Sequence, residues 1–326
     1  MLNLRHDWRH ELAIHEQLLE DIIFELVKRA SIELPGDVER VLQSGLAREE
    51  SATAKAQFHA ILSNCRMARE KQVGLCQDTG LAMIYADLGL DCHLKGDPKA
   101  AAKRALIRAT KEVPLRQNVI NPLTKENSGD NTGWGIPYIC WEVVSGADYL
   151  ELLVIPKGFG SEMRAAQCWV LTSEDVGRAA VKAVLDVVED AMGEPCPPVI
   201  IGVGIGGFAD SSMALAKKAL FRSPIGSRNP DPQVAALEGE IFEAVNALGL
   251  GPMGLGGKTY ALGVHAEIAG SHTAVVPVSV MFQCWACRYS RARIYNDGRV
   301  EYLTHPEISP QRTQEQRPSG TPTGAR

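Results

Sequence analysis

Apolar residues recur at helical spacing from early in the chain. Leu12, Leu18, Leu19, Ile22, Ile23 and Leu26 share one face when wound at about 3.6 residues per turn. The pattern predicts an amphipathic helix ending before Leu34-Pro35-Gly36, where proline and glycine interrupt it. Two further helices are expected near 36–45 and 50–70, then a strand over 81–90 and a helix over 97–112. Glycine, asparagine and threonine crowd Asn127 to Gly135, the composition of a loop, and a strand pair follows near 138–144 and 149–155. Ser173-Glu174-Asp175 opens a helix with acidic residues at its positive end, and the apolar period runs to Met192. Residues 198–205 are almost wholly apolar, which marks a strand buried on both faces. Helices near 210–221 and 232–248 and strands near 260–268, 274–281 and 290–303 complete the pattern. The expected class is α/β, with mixed sheets, packed helices and a helical N-terminal part. No repeat and no linker divides residues 1–305, so one domain is expected there. From Pro306 onward the chain is polar and lacks an apolar period, so 306–326 reads as a disordered tail.

Composition narrows the classes of function. With 326 residues and 45% hydrophobic content the chain can bury a large core. A net charge of −5 gives no basic excess of the kind that a phosphate backbone requires, which argues against nucleic acid as a partner. The charged N-terminus lacks the apolar run of a secretory signal. The longest apolar stretch, Pro198 to Ala209, falls well short of the roughly 20 residues needed to span a bilayer. The expectation is a soluble cytoplasmic protein. Its eight cysteines then read as thiols or metal ligands rather than disulfides.

Several motifs carry chemistry, each beside a plainer reading. Gly202-Val203-Gly204-Ile205-Gly206-Gly207 matches the dinucleotide-binding glycine pattern, but the helix after it runs into Arg222-Ser223-Pro224-Ile225-Gly226-Ser227 instead of an acid-terminated strand. Close backbone packing is the plainer account of these glycines. Cys284-Trp285-Ala286-Cys287 lacks the second ligand pair that zinc would need. Cys76-Gln77-Asp78-Thr79-Gly80 gathers a thiol, an amide, a carboxylate and a hydroxyl before a glycine; a site and an Asx-type turn are equally compatible with it. In Cys196-Pro197-Pro198 a cysteine is followed by proline, as is familiar at cluster ligands. Lys157-Gly158-Phe159-Gly160-Ser161-Glu162, between a strand and a helix beginning at Ser161, suits either a carboxylate cradle or an ordinary glycine turn. His272, in Ser271-His272-Thr273, precedes a buried strand.

In order and at these separations, the motifs resemble the α subunit, or N-terminal catalytic region, of class I fumarases and L(+)-tartrate dehydratases. The likeness covers roughly residues 10 to 305. It rests on the cysteine segments, Pro114-Leu115-Arg116, Asn131-Thr132-Gly133, the Lys157–Ser161 stretch, Gly256-Gly257-Lys258, and Arg288. It implies a [4Fe–4S] cluster held by Cys76, Cys196 and Cys284, without Cys287, leaving one iron open as a Lewis acid. It further implies a substrate site from Gln77, Asp78, Arg116, Lys157, Gly158 and Gly160, with His272 paired to Asp78 for proton handling. Two positions depart from the family pattern: the flanks of His272, and Phe159 where a small residue is usual. The second domain of the single-chain fumarases is missing, so the resemblance implies a separate β subunit in a hetero-oligomer. The Lys157 loop favours fumarate and (S)-malate as substrates. L(+)-tartrate, dehydrated to oxaloacetate, is the alternative, and a nicotinamide-dependent oxidoreductase built on the Gly202–Gly207 motif is a remoter one.

Overall fold

The computed structural model describes residues 12–113 and 115–305. A short strand β1 (Ile14–His15) leads into helices α1 (Glu16–Ile32), α2 (Gly36–Arg48) and α3 (Ala52–Lys71). Strands β2 (Leu81–Gly89) and β3 (Leu94–Lys95) precede helix α4 (Pro98–Glu112), after which come β4 (Tyr138–Val144) and β5 (Tyr149–Lys157). One turn of helix, α5 (Phe159–Glu162), then β6 (Ala166–Leu171), α6 (Val176–Ala191) and β7 (Val199–Ile205) follow. Helices α7 (Ala209–Ala219) and α8 (Pro232–Ala247) lead to β8 (Ala261–Ile268), β9 (Val275–Gln283), β10 (Ser290–Tyr295) and β11 (Val300–Tyr302).

Local chemistry sets the helix starts. Asp97, Asp175 and Asp231 each accept a hydrogen bond from an amide of the first helical turn, and Pro98 and Pro232 occupy first positions where no amide is missed. The strands form two main sheets. One has the order β11-β10-β5-β2-β4, the other β6-β9-β7-β8, and both mix parallel with antiparallel pairs. Helices α1 and α4 cover the five-stranded sheet through Leu19, Ile23, Leu26, Ala105 and Leu106. Helices α6 and α8 cover the four-stranded sheet through Val184, Val188, Ile241 and Val245. A third core between the sheets, with Phe58, Phe221, Met281 and Tyr289, joins them and seats α2 and α3. The α/β class, the mixed sheets and the helical N-terminal part are as the sequence predicts.

Four details differ. The segments 138–144 and 149–155 do not pair with each other, because β2 lies between β4 and β5 and pairs with both. The stretch 290–303 is two strands, broken at Asn296-Asp297-Gly298, where Gly298 takes a positive φ of 81°. Beyond α5 the chain forms β6, an edge strand that period alone does not announce. Leu12 is exposed and precedes α1. The expected tail over 306–326 lies outside the described residues, as does Pro114.

Buried carboxylates pin the helical part to the sheets. Asp37 accepts hydrogen bonds from Ile225 N at 2.9 Å, Tyr289 Oη at 2.8 Å and Ser223 Oγ at 3.1 Å. Glu49 accepts from Lys258 N at 2.9 Å and Thr259 N at 2.6 Å, so the Gly256-Gly257-Lys258 motif is where the start of β8 is tied to the end of α2.

Gly202 and Gly204 let α7 lie directly on β7. A Cβ at Gly204 would stand 2.0 Å from Ser212 O, and one at Gly202 the same distance from Ala216 O. Neither neighbour can turn away, since both are helix backbone. Gly204→Ala is therefore expected to cost about 3 kcal/mol through forced displacement of α7. Urea denaturation checks this, and a midpoint unchanged from wild type would show that the helix moves freely.

Candidate active site

Strand pairing gathers the three cysteine segments. In the β7–β9 pair Ile200 lies opposite Gln283, so the start of one strand and the end of the other meet. Trp285 N donates to Cys196 O at 3.2 Å across that junction. Cys196 holds the left-handed region at φ 56° in the turn that leads into β7. In the β2–β5 pair Leu81 lies opposite Lys157, which brings the Cys76–Gly80 turn to the end of β5. Gly80 is required there: its φ is 75° and a Cβ would stand 2.2 Å from Lys157 O. Arg288 Nη2 then donates to Asp78 O at 2.8 Å, tying the first cysteine segment to the third.

The electrostatics agree with this convergence. Burial raises the pKa of the Cys196 thiol, and the nearby Cys284, Cys76 and Asp78 push it further the same way. The three thiols are free, Cys196 exposed and the other two partly so, whereas Cys287 is fully buried in the core with Phe221 and Tyr289. Among the described residues no three His, Cys, Asp or Glu side chains are grouped closely enough to hold a single metal ion. Three soft sulfur donors on separate segments suit a polynuclear cluster, in which each thiolate would bind a different iron, better than zinc with all its ligands on one ion.

Beside the cysteines Asp78 is held by three donors. Its Oδ1 accepts from Gly80 N at 2.8 Å and Asn118 Nδ2 at 2.6 Å, and its Oδ2 from Phe159 N at 2.8 Å. A Cβ on Gly158 would stand 3.2 Å from Asp78 Oδ2, and one on Gly160 3.4 Å from Glu194 O in the Cys196 segment. The glycine loop thus touches both neighbouring segments through bare backbone. Asn131, buried and left-handed at φ 58°, accepts from Asn118 N at 2.7 Å and donates to Arg116 O at 3.1 Å. It fixes the loop that carries Arg116 and Asn118. A cavity of about 850 Å³ opens here, walled by Asp78, Arg116, Asn118, Trp134 and Phe159.

Of the residues singled out in the sequence, Cys76, Cys196, Cys284, Asp78, Gly158 and Gly160 come together, with Gln77 exposed beside Cys76 and Arg116 on the cavity wall. Two do not fit their expected places. Lys157 is 3% exposed, and its ammonium donates to Ser161 Oγ at 2.7 Å and Phe282 O at 3.1 Å with Glu162 at 3.4 Å, so it fastens the loop from below rather than facing a ligand. His272 precedes β9 while Cys284 follows it; nine extended residues, about 30 Å, separate those ends. Among the described residues the hydrogen-bond partners of the Asp78 carboxylate are Asn118 and two backbone amides, and the expected His272–Asp78 pair is not formed among them. Asn118 went unread in the sequence. Its one signal is a polar run, Arg116-Gln117-Asn118, a few residues beyond the end of α4.

A family model described as fumarate hydratase (Fumerase) matches residues 20–293. The chain belongs to this family, the iron–sulfur hydro-lyases of class I fumarase and tartrate dehydratase type. A Methanocaldococcus jannaschii relative, named "Putative L(+)-tartrate dehydratase subunit alpha", is 41% identical over 285 residues, covering 86% of this chain and 99% of its own length. The L(+)-tartrate dehydratase subunit alpha of Escherichia coli strain UTI89 is 34% identical over 287 residues, 88% of this chain and 94% of its own. In this hydro-lyase the glycine motif at 202–207 serves helix packing. The amides at its end are taken within the protein, Gly206 N by Pro277 O, Gly207 N by Gly270 O and Phe208 N by Ser211 Oγ, which leaves none of them for a nucleotide phosphate. No helix among the described residues is long and apolar enough to cross a membrane.

Proposed function

We propose that the chain is the α subunit of an L(+)-tartrate dehydratase, converting tartrate to oxaloacetate. The observation that carries this is the naming of relatives that match it over nearly their full length, at 41% and 34% identity. The preference for fumarate rested on the Lys157 loop, and a buried lysine bonded to Ser161 and Phe282 selects no substrate.

Cys76, Cys196 and Cys284 would hold the cluster, which when bound supplies an iron lacking a protein ligand as a Lewis acid beside the substrate. Arg116 binds one substrate carboxylate through its planar fork. Gly158 and Gly160 admit the substrate close to backbone, as no side chain intervenes. Asp78, rigidly held by Asn118 and two amides, takes or returns the proton at the departing hydroxyl. Loss of that hydroxyl and of hydrogen from the neighbouring carbon leaves an enol, which tautomerises to oxaloacetate.

The site is incomplete for a dianion. Arg116 is the single cationic side chain lining the cavity among the described residues, and Trp134 stands 90% exposed at its wall. A β subunit would cover that wall and bring the second cation and the base for the C–H bond. The relatives' designation as alpha subunits supports the same partner. The test is anaerobic purification with the co-purifying partner, followed by assays on L(+)-tartrate, fumarate and (S)-malate. Dehydration of tartrate at the highest kcat/KM is the expected result; faster hydration of fumarate would overturn the substrate assignment.

A further inference from the structure

Arg288 is buried to 2% exposure and forms no ion pair with an Asp or Glu side chain among the described residues. Its Nη2 donates to Asp78 O at 2.8 Å, and its Nε, also buried, has no hydrogen-bond partner. The nearest approach of the glycine loop is a Cβ position on Gly158, 3.6 Å from Nη2. A buried guanidinium without an anion is strongly unfavourable, so a counter-charge belongs beside it. The anionic groups near it are the Asp78 carboxylate, which Gly80 N, Asn118 Nδ2 and Phe159 N already hold and which forms no ion pair with it, and the cysteines. Arg288 follows Cys284 by four residues, and the carbonyl it holds, Asp78 O, lies two residues after Cys76; the other buried cation in this region is Lys157. Lys157 already has Glu162 as its partner. Arg288 does not.

We infer that Arg288 is the internal counter-charge of the Cys76, Cys196 and Cys284 cage, and a positioning residue that locks the Asp78 turn to it. The inference rests on the cluster reading above. A three-cysteine [4Fe–4S] cluster in its oxidised resting form carries a net negative charge, and reduction adds one more. A fixed cation at short range and low dielectric favours the reduced form, so its removal lowers the reduction potential. The same guanidinium orders the backbone beside Asp78, which couples the cluster's charge to the placement of the proton-handling carboxylate.

The experiment compares wild type with Arg288→Gln, which keeps a donor for Asp78 O without the charge, and Arg288→Lys, which keeps the charge. All are purified anaerobically as the complex with the partner subunit, and iron and acid-labile sulfide are measured before an EPR-monitored redox titration. Arg288→Gln is expected to weaken reduction at least tenfold, a shift of 59 mV to lower potential for one electron, with Arg288→Lys close to wild type. If Arg288→Gln assembles no cluster but Arg288→Lys assembles one at the wild-type potential, the charge is again the operative feature. Equal potentials in wild type and Arg288→Gln would overturn the inference while leaving the cluster intact. So would failure of a folded Arg288→Lys to assemble a cluster, because geometry rather than charge would then decide. Wild-type protein without iron and sulfide would overturn the cluster reading itself, and this inference with it.

Discussion

Cys284→Ser is expected to yield a folded chain that assembles no intact [4Fe–4S] cluster and has lost dehydratase activity, and Cys76→Ser and Cys196→Ser are expected to do the same. Outer partners of metal ligands alone are worth roughly 10–100-fold, so loss of a ligand should exceed that. Serine is a hard oxygen donor with a high pKa and substitutes poorly for a soft thiolate on iron. The three sites should behave alike because each tethers a different segment: the turn before β2, the approach to β7 and the exit of β9. Cys287→Ser is the control. Its thiol sits in the core beside Tyr289, and a buried cysteine acts there as a small hydrophobe. That variant should keep its iron and sulfide and lose only some stability. Anaerobic iron and sulfide analysis decides, and equal loss from the Cys287 variant would refute the ligand set.

Asp78→Asn is expected to lower kcat by about 10²–10⁴-fold, the usual worth of a positioned proton-transfer group, with little effect on folding or iron content. Asparagine matches aspartate in shape; its carbonyl can keep the bonds from Gly80 N and Asn118 Nδ2 that hold the turn, while its NH2 faces Phe159 N and gives up that one bond, so the turn survives while the proton site is lost. If the variant retains kcat within tenfold and its cluster is intact, another group carries the proton. Asn118→Ala should act through the same carboxylate but more weakly, because the amides of Gly80 and Phe159 still hold it.

Gly202 and Gly204 were read from sequence as close-packing glycines, and the backbone of α7 lies against them. The cysteine, aspartate and glycine-loop motifs were visible because such chemistry needs specific residue types at turns between elements, where sequence is least constrained by packing. Lys157 was misplaced because its sequence neighbours, glycines and a helix start, describe a cradle from either side. Only the chain brought in from β9, 125 residues on, shows which side the ammonium faces. His272 failed for a related reason: twelve residues from Cys284 is close in sequence, but as a strand it spans the length of the sheet.

Taken alone, the sequence determined the α/β class, most element positions and the residue types of the site, since periodicity, capping and turn chemistry act over a few residues. The tertiary structure decided what depends on contacts between distant segments. It placed β2 between β4 and β5, set Asn118 and Asn131 behind Asp78, turned Lys157 inward, and buried Arg288 against the backbone of the Asp78 turn. Those outcomes follow from strand order and burial, and neither is written in the spacing of any one motif.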